Sequence, residues 1–292
     1  MNKPNFSQKS TRRNLIAGVT LALVVAAGAY WYSQRGSIST DNAYVGAHIV
    51  QISAQVSGPV TEVFVSDNQA VKKNAPLFKI DPTPFRLAVS KTEAQMQQSL
   101  AELKHAKDNA QRTTALVEKK YLSPQAGDDA KTAVKTARAA YLAAKASYEQ
   151  AKLDLEHTVV SSPVTGTVAN LSLRPGTVVP PSVPQFAIIA SDEFWVDANF
   201  KETELQDIHP EDRADIHVDS YPDRVFHGKV VSLSGGAGTA FSLLPPQNAT
   251  GNWVKVTQRV PVRIVVTDPD PKYPLRVGTS AEVKVHLSNA AS

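Results

Sequence analysis

The feature that most constrains this chain is an abrupt change of composition at two points, near Asp81-Pro82 and near His157. Residues 82–157 are rich in Ala, Lys, Gln and Glu, and Gly127 is their single glycine. The segments on both sides are rich in Val, Ser, Pro and Gly. Helix formers inside the boundaries and strand and turn residues outside them predict a helical insertion within β structure.

The inserted segment predicts two helical arms, because apolar or small residues recur in it at alternating spacings of four and three. The first seam is Phe85, Val89, Thr92, Met96, Ser99, Leu103, Ala106, Ala110, Thr113 and Val117, and the second is Ala130, Val134, Ala137, Tyr141, Ala144, Tyr148, Ala151 and Leu155. Ser123 and Pro124 suit the N-cap and first position of the second arm. Only residues 119–122 join the arms, so we expect an antiparallel coiled-coil hairpin over 82–157.

The two segments that flank this hairpin resemble each other. SGPVTEV at 57–63 corresponds to TGTVANL at 165–171, and PLFKI at 76–80 corresponds to PQFAII at 184–189. Each half suits short strands led by a glycine turn. Neither half can bury an apolar face alone, so we expect 48–81 and 158–191 to pair as one small β sandwich.

Residues 192–289 predict a separate domain of short strands. Strand-like runs occupy 194–200, 213–218, 225–233, 259–266 and 281–287, and Thr203 to Ile208 suits one or two helical turns. Many short strands separated by turn signals are typical of a small β barrel.

Near the N-terminus, residues 15–32 form an uncharged run of 18 residues. As a helix this run measures roughly 27 Å, close to the thickness of a bilayer core. Basic residues precede it and no acid occurs among the first 14 residues, which predicts a cytoplasmic tail (1–14), a transmembrane anchor (15–32) and a linker (33–47). The alternative is a cleaved signal peptide, since Ala27-Gly28-Ala29 could serve as its cleavage site.

Composition excludes several classes of function. The chain has no cysteine, which rules out disulfides, thiolate-bound zinc and thiol nucleophiles. Its seven histidines show no HxH or HExxH spacing, and no GxSxG, P-loop or GxGxxG motif occurs. The net charge of +4, without a long Lys/Arg run, gives no argument for nucleic acid. We therefore expect no enzyme, no cofactor and no metal site.

Two biotinyl- or lipoyl-type halves split by a helical hairpin, behind an N-terminal anchor, resemble the HlyD-like periplasmic adaptor (membrane fusion protein) family. The segments 198–203 (ANFKET), 241–256 and 258–264 (QRVPVRI) are similar to its EmrA-type multidrug export branch, and the resemblance covers about 38–287. It implies a mainly β fold with a transmembrane helix, a split lipoyl-like sandwich, a coiled-coil hairpin and a C-terminal barrel.

This resemblance also implies a function. The chain would be the adaptor of a tripartite efflux or secretion system in a Gram-negative bacterium, anchored in the inner membrane with its bulk in the periplasm. Its partners would be an inner-membrane transporter, with the major-facilitator type favoured, and a TolC-like outer-membrane channel. One rod cannot seal a conduit, so copies should associate into a ring.

Two contact regions follow from the same resemblance. Arg112, Leu116 and Ser123 stand at the spacing of the family's channel-docking tip and Asp128 continues it, although Glu118 stands where the family commonly has Gly. The pump-proximal loop would comprise Phe241, Leu243, Leu244, Asn252 and Trp253. A structural crossover that plugs the barrel end is the alternative for this loop.

Other functions remain as alternatives. The chain could serve an ABC-type or aromatic-acid exporter, or act as a membrane-anchored envelope scaffold without a role in transport. A swinging-arm carrier of biotin or lipoate is disfavoured, because the turn that would present a modifiable lysine is replaced by the inserted hairpin.

Overall fold

In the computed structural model of this chain, residues 36–237 and 256–288 are described. The predicted anchor and the predicted loop residues Phe241, Leu243, Leu244, Asn252 and Trp253 lie outside these ranges. Among the described residues, no helix is both long and apolar enough to cross a bilayer.

The chain divides into two compact units. Among the described residues, the barrel unit comprises 36–48, 193–237 and 256–288, and the sandwich–hairpin unit comprises Ile49–Asp192. The described elements, in chain order, are β1 (Ser37–Ser53), β2 (Gly58–Val63), β3 (Ala70–Val71), β4 (Pro76–Ile80), α1 (Thr83–Glu118), α2 (Pro124–Glu156), β5 (Val159–Ser161), β6 (Gly166–Ala169), β7 (Val178–Val179), β8 (Pro184–Lys201), a 3₁₀ turn (Leu205–Asp207), β9 (Arg213–Val218), β10 (Val225–Leu233), β11 (Arg259–Val266) and β12 (Ser280–His286).

The barrel unit is a closed ring of strands. Its order is β1-β12-β9-β10-β11-β8, and β8 returns to pair with β1. Strict alternation turns every second residue inward, as in β12, where Ala281, Val283 and Val285 are buried between exposed polar neighbours. Phe200 and Phe226 are fully buried in this core.

The structure corrects one predicted boundary. Residues 37–47, predicted as part of a linker, are the first part of β1 and pair with β12 from Ser37 to Tyr44. The inward positions of this stretch are Ala43, Val45 and Ala47, all buried. Because these side chains are small, the period of two was weak in the sequence, and only the pairing with β12 reveals the strand.

The sandwich is formed by both half-repeats together. β2 pairs with β7, β3 with β6 and β4 with β5, so each of these pairs joins one half to the other. The shared core includes Phe78 and Ile80 from the first half and Val168 and Ile188 from the second, all fully buried. Neither half would have enclosed these side chains by itself.

The inserted segment forms two helices joined by a short link, and every residue of the two predicted seams is buried or half-buried. Ser123 is the N-cap of α2, where its Oγ accepts a hydrogen bond from the backbone N–H of Ala126 at 3.3 Å. The large residues Leu103 and Met96 alternate along the seam with small ones, so α1 and α2 pack closely over their length. Coiled-coil supercoiling of the pair stays a prediction.

Candidate docking surfaces

The link between the two helices is held in a defined conformation by backbone hydrogen bonds. The N–H of Lys120 donates to Val117 O at 2.9 Å, and the N–H of Tyr121 donates to Leu116 O at 2.9 Å. Lys120 has a φ of 60°, in the left-handed region. This pair of bonds around a left-handed residue is the Schellman motif, which satisfies the last carbonyls of a helix. The link is therefore an ordered turn.

This turn presents apolar side chains to solvent. Tyr121 is 76% exposed, Leu116 42% and Leu122 41%. The exposed cations Lys119 and Lys120 stand beside them. Burying such a cluster against a partner would remove apolar surface from water, which makes the tip a candidate docking surface.

The four predicted docking residues are all exposed, and they differ in their surroundings. Arg112 and Leu116 are four residues apart on α1 and so share one side of that helix. The hydroxyl of Ser123 is engaged as a helix cap. The Asp128 carboxylate lies 3.4 Å from the Lys131 ammonium.

Tyr121 is a further candidate for docking, which was not predicted from the sequence. It is the most exposed of the large apolar side chains in the described residues. A signal was present in the sequence, because an aromatic residue stands in a short link between two polar helices. The left-handed conformation of Lys120, the residue before Tyr121, was not predicted from the sequence.

In the barrel unit, a polar cluster surrounds Trp195. The indole Nε1 donates a hydrogen bond to Asp197 Oδ2 at 2.9 Å, and the Arg263 guanidinium lies 4.7 Å from the ring centroid. Arg263 also binds Asp197, at 3.0 Å and 3.3 Å. His48 packs edge-on against the indole at 4.9 Å. The cluster ties together the three strands that carry it, β1 with His48, β8 with Trp195 and Asp197, and β11 with Arg263.

On the outer face of the barrel, one carboxylate joins two histidines. Asp215 Oδ1 lies 3.0 Å from His227 Nδ1, and Asp215 Oδ2 lies 2.8 Å from His286 Nε2. Burial raises the pKa of Asp215, but the hydrogen bonds to His286 and His227 outweigh it, so the pKa lies below its usual value. An open groove of about 900 Å³ lies over this trio.

Within the described part of the chain, no group of three or more His, Cys, Asp or Glu side chains is arranged to hold a metal ion. The ring nitrogens of His227 and His286 are directed at the carboxylate oxygens of Asp215, where they bridge strands β9, β10 and β12.

Comparison with known proteins shows which family has this architecture. Residues 48–191 match the family described as RND MFP, barrel-sandwich hybrid domain, and residues 193–286 match the AAEA-like β-barrel domain. The multidrug export protein EmrA of Escherichia coli K12 is 35% identical, over 91% of this chain and 80% of its own length. The chain belongs to the periplasmic adaptor, or membrane fusion protein, family. It is an adaptor of the kind found in efflux systems.

This adaptor is also similar to proteins that confer resistance to particular compounds. The fatty acid resistance protein FarA of Neisseria gonorrhoeae is 35% identical over 87% of this chain and 77% of its own length. The colistin resistance protein EmrA of Acinetobacter baumannii is 31% identical over 97% and 96%.

A solved structure shows the same fold. The membrane fusion protein Spr0693 of Streptococcus pneumoniae R6 aligns with a TM-score of 0.63 at 18% identity, over 87% of this chain and 99% of its own.

Proposed function

We propose that this adaptor links an inner-membrane transporter of the major-facilitator type to a TolC-like outer-membrane channel. The observation that carries the proposal is the ordered, apolar tip at the end of a helical hairpin, in a chain whose relatives are multidrug export proteins. A helix of 36 residues measures about 54 Å, long enough to hold the tip well away from the sandwich at its base.

The tip is the proposed contact with the channel. Leu116, Tyr121 and Leu122 would be buried on docking, and Arg112 and Asp128 would supply polar contacts around them. A small apolar centre within a polar rim is the usual composition of a protein interface. Ser123 contributes by capping α2 and so holding the turn in place.

Two segments outside the hairpin are the proposed contacts with the membrane and the pump. Residues 15–32 would anchor the adaptor in the inner membrane with the N-terminus in the cytoplasm. The loop with Phe241, Leu243, Leu244, Asn252 and Trp253 would face the transporter. The resemblance to the EmrA branch favours a major-facilitator pump, and it implies amphipathic small molecules as cargo.

Several copies would form the conduit together. A two-helix rod cannot enclose a channel, so the proposal includes self-association into a ring around the path of the exported compound. The adaptor carries out no chemistry in this scheme, since the transporter supplies the energy.

A crosslinking pull-down tests the proposal. Tagged full-length protein is crosslinked in its native cells and purified in mild detergent, and its partners are identified by mass spectrometry. Recovery of a major-facilitator transporter and an outer-membrane channel is expected. An ABC-type or aromatic-acid exporter in its place would overturn the pump assignment, and the absence of any transporter would favour the envelope scaffold. The same pull-down is repeated with Tyr121→Asp at the tip, which should recover less of the channel. Leu87→Asp, at an exposed site near the base of α1, is the matched control and should not change this recovery.

A further inference from the structure

The two sides of the hairpin differ in charge. Seam residues face the partner helix, so the residue after each seam position lies on one side of a helix and the residue before it on the other. Because α1 and α2 run antiparallel, the "after" positions of both helices fall on the same side of the hairpin. Within residues 97–117 of α1 and 128–148 of α2, this side carries six exposed cations, which we call the basic face: Lys104, Lys107, Lys131, Lys135, Arg138 and Lys145.

These cations are close together in height. Gly127 lies against Val117, which sets the register of the two helices. Lys104 and Lys107 are therefore level with the segment 137–140 of α2. The span from Lys131 to Lys145 is about 21 Å along the helix. Six like charges in this space repel one another unless an anionic surface or salt screens them.

The hairpin itself does little to neutralise this face. Among the ion pairs of the described residues, one involves these six cations, between Lys131 and Asp128 at 3.4 Å. Between the levels of Asp128 and Glu149, no "after" position of the hairpin holds Asp or Glu, and Asp108, which follows Lys107, lies opposite the seam. Long, unpaired cations on a helix can be simply solvated, so charge alone does not identify a docking surface.

Two leucines within the basic face provide the second observation. Leu100 is 40% exposed and Leu142 is 53% exposed, and both occupy "after" positions. Leu100 is level with Ala144, two residues from Leu142. They therefore form a small apolar centre surrounded by cations. This is the composition of an interface, with an apolar core and a charged rim.

The opposite side of the hairpin is complementary to this pattern. Its "before" positions include the small residues Ala133, Ala140 and Ala143 and the exposed carboxylates Glu102 and Asp129. Glu102 is level with Leu142, and Asp129 is close to the level of Lys131. Arg112 is the cation on this side nearest to Asp129. The alanines leave room for leucines from another molecule, and the carboxylates stand at the heights of the cations.

We propose that the basic face of one copy docks on the opposite face of a second copy, with both hairpins pointing the same way and at the same height. This names the contact within the self-association that the proposed function includes, and it rests on that function for the common orientation. Leu100 and Leu142 pack on the alanines, and Glu102 and Asp129 pair with the cations. The contact is head-to-tail, because the two faces differ, and repetition of it gives a ring or an open row.

Cysteine crosslinking in native membranes tests this contact, since the chain contains no cysteine of its own. The full-length double variant Leu142→Cys/Ala140→Cys places one thiol on each side of the hairpin. Oxidation is expected to give a ladder of dimers and larger species from the double variant and none from either single variant. A matched control, Ala101→Cys/Ala139→Cys, places both thiols opposite the seams and is expected to give no ladder.

Two outcomes would overturn the proposal. A strong dimer from Leu142→Cys alone would mean that the basic face meets itself, and no ladder from the double variant would mean that the two faces do not meet. Charge reversal gives a second measurement: Glu102→Lys in the double variant should reduce the ladder several-fold, and adding Lys145→Glu should restore it. Normal export without a ladder defeats this contact alone, whereas a ladder without transporter or channel in the pull-down defeats the export function alone.

Discussion

Gly46 lies directly against the indole of Trp195. A β-carbon at residue 46 would stand 2.7 Å from Trp195 Cε2, closer than atoms approach in folded proteins. The indole cannot yield easily, because Nε1 is bonded to Asp197 and Arg263 lies over the ring. This glycine therefore serves close packing between two neighbouring strands of the barrel.

Gly46→Ala is expected to destabilise the barrel unit by about 1–3 kcal/mol, the usual cost of forcing extra atoms into a packed site. The measurement is the urea midpoint followed by tryptophan fluorescence. Gly235→Ala is the control, since a β-carbon there meets nothing within 4 Å. Equal midpoints for the two variants would show that Trp195 can move aside.

Lys120→Gly is expected to stabilise the hairpin by up to about 1 kcal/mol, because a left-handed backbone costs a residue with a side chain more than it costs glycine. Thermal unfolding followed by circular dichroism measures the change. Lys119→Gly is the control, because residue 119 has a φ of −80° and gains nothing from glycine. A loss of stability in Lys120→Gly would contradict the Schellman assignment.

Leu116→Asp and Tyr121→Asp are expected to impair export while leaving helix content unchanged, because both side chains are exposed. Ser123→Arg should impair export as well and should also cost about 1 kcal/mol through the lost cap. Drug susceptibility of a strain that depends on this adaptor provides the measurement. Normal resistance in all three variants would remove the tip from the docking surface.

Asp215→Asn should destabilise the barrel unit most at neutral pH. The pKa of Asp215 is lowered in the folded state, despite the opposing effect of burial, by its hydrogen bonds to His286 and His227. Its carboxylate therefore contributes stability above its unfolded pKa of about 3.9, and this is lost as pH falls through the folded value. Unfolding free energies of wild type and variant should converge below about pH 4.

Glu282→Gln is the comparison for that measurement, because Glu282 is an exposed carboxylate on β12, a neighbouring strand of the barrel. We expect its effect to stay within about 0.5 kcal/mol, as for most surface substitutions. A constant difference between wild type and Asp215→Asn from pH 7 to pH 3 would show that the histidine contacts do not stabilise the carboxylate.

Much of the fold could be predicted from local patterns in the sequence. The seams of α1 and α2 follow from a spacing of four and three, and Ser123 caps α2 as its position before Pro124 indicated. The strands at 213–218, 225–233 and 259–266 match β9, β10 and β11, because alternation along one strand is a local signal. The family resemblance is confirmed by the relatives and the two domain matches.

Features that depend on pairing between strands far apart in the chain were seen only in the tertiary structure. Residues 37–47 become a barrel strand only by pairing with β12, and their small inward side chains concealed it. His227 and His286 had no motif spacing, yet strand register brings both to Asp215. Periodicity within a segment depends only on residues that are close in sequence. Strand pairing and the contacts it creates depend on residues that come together only when the whole chain folds.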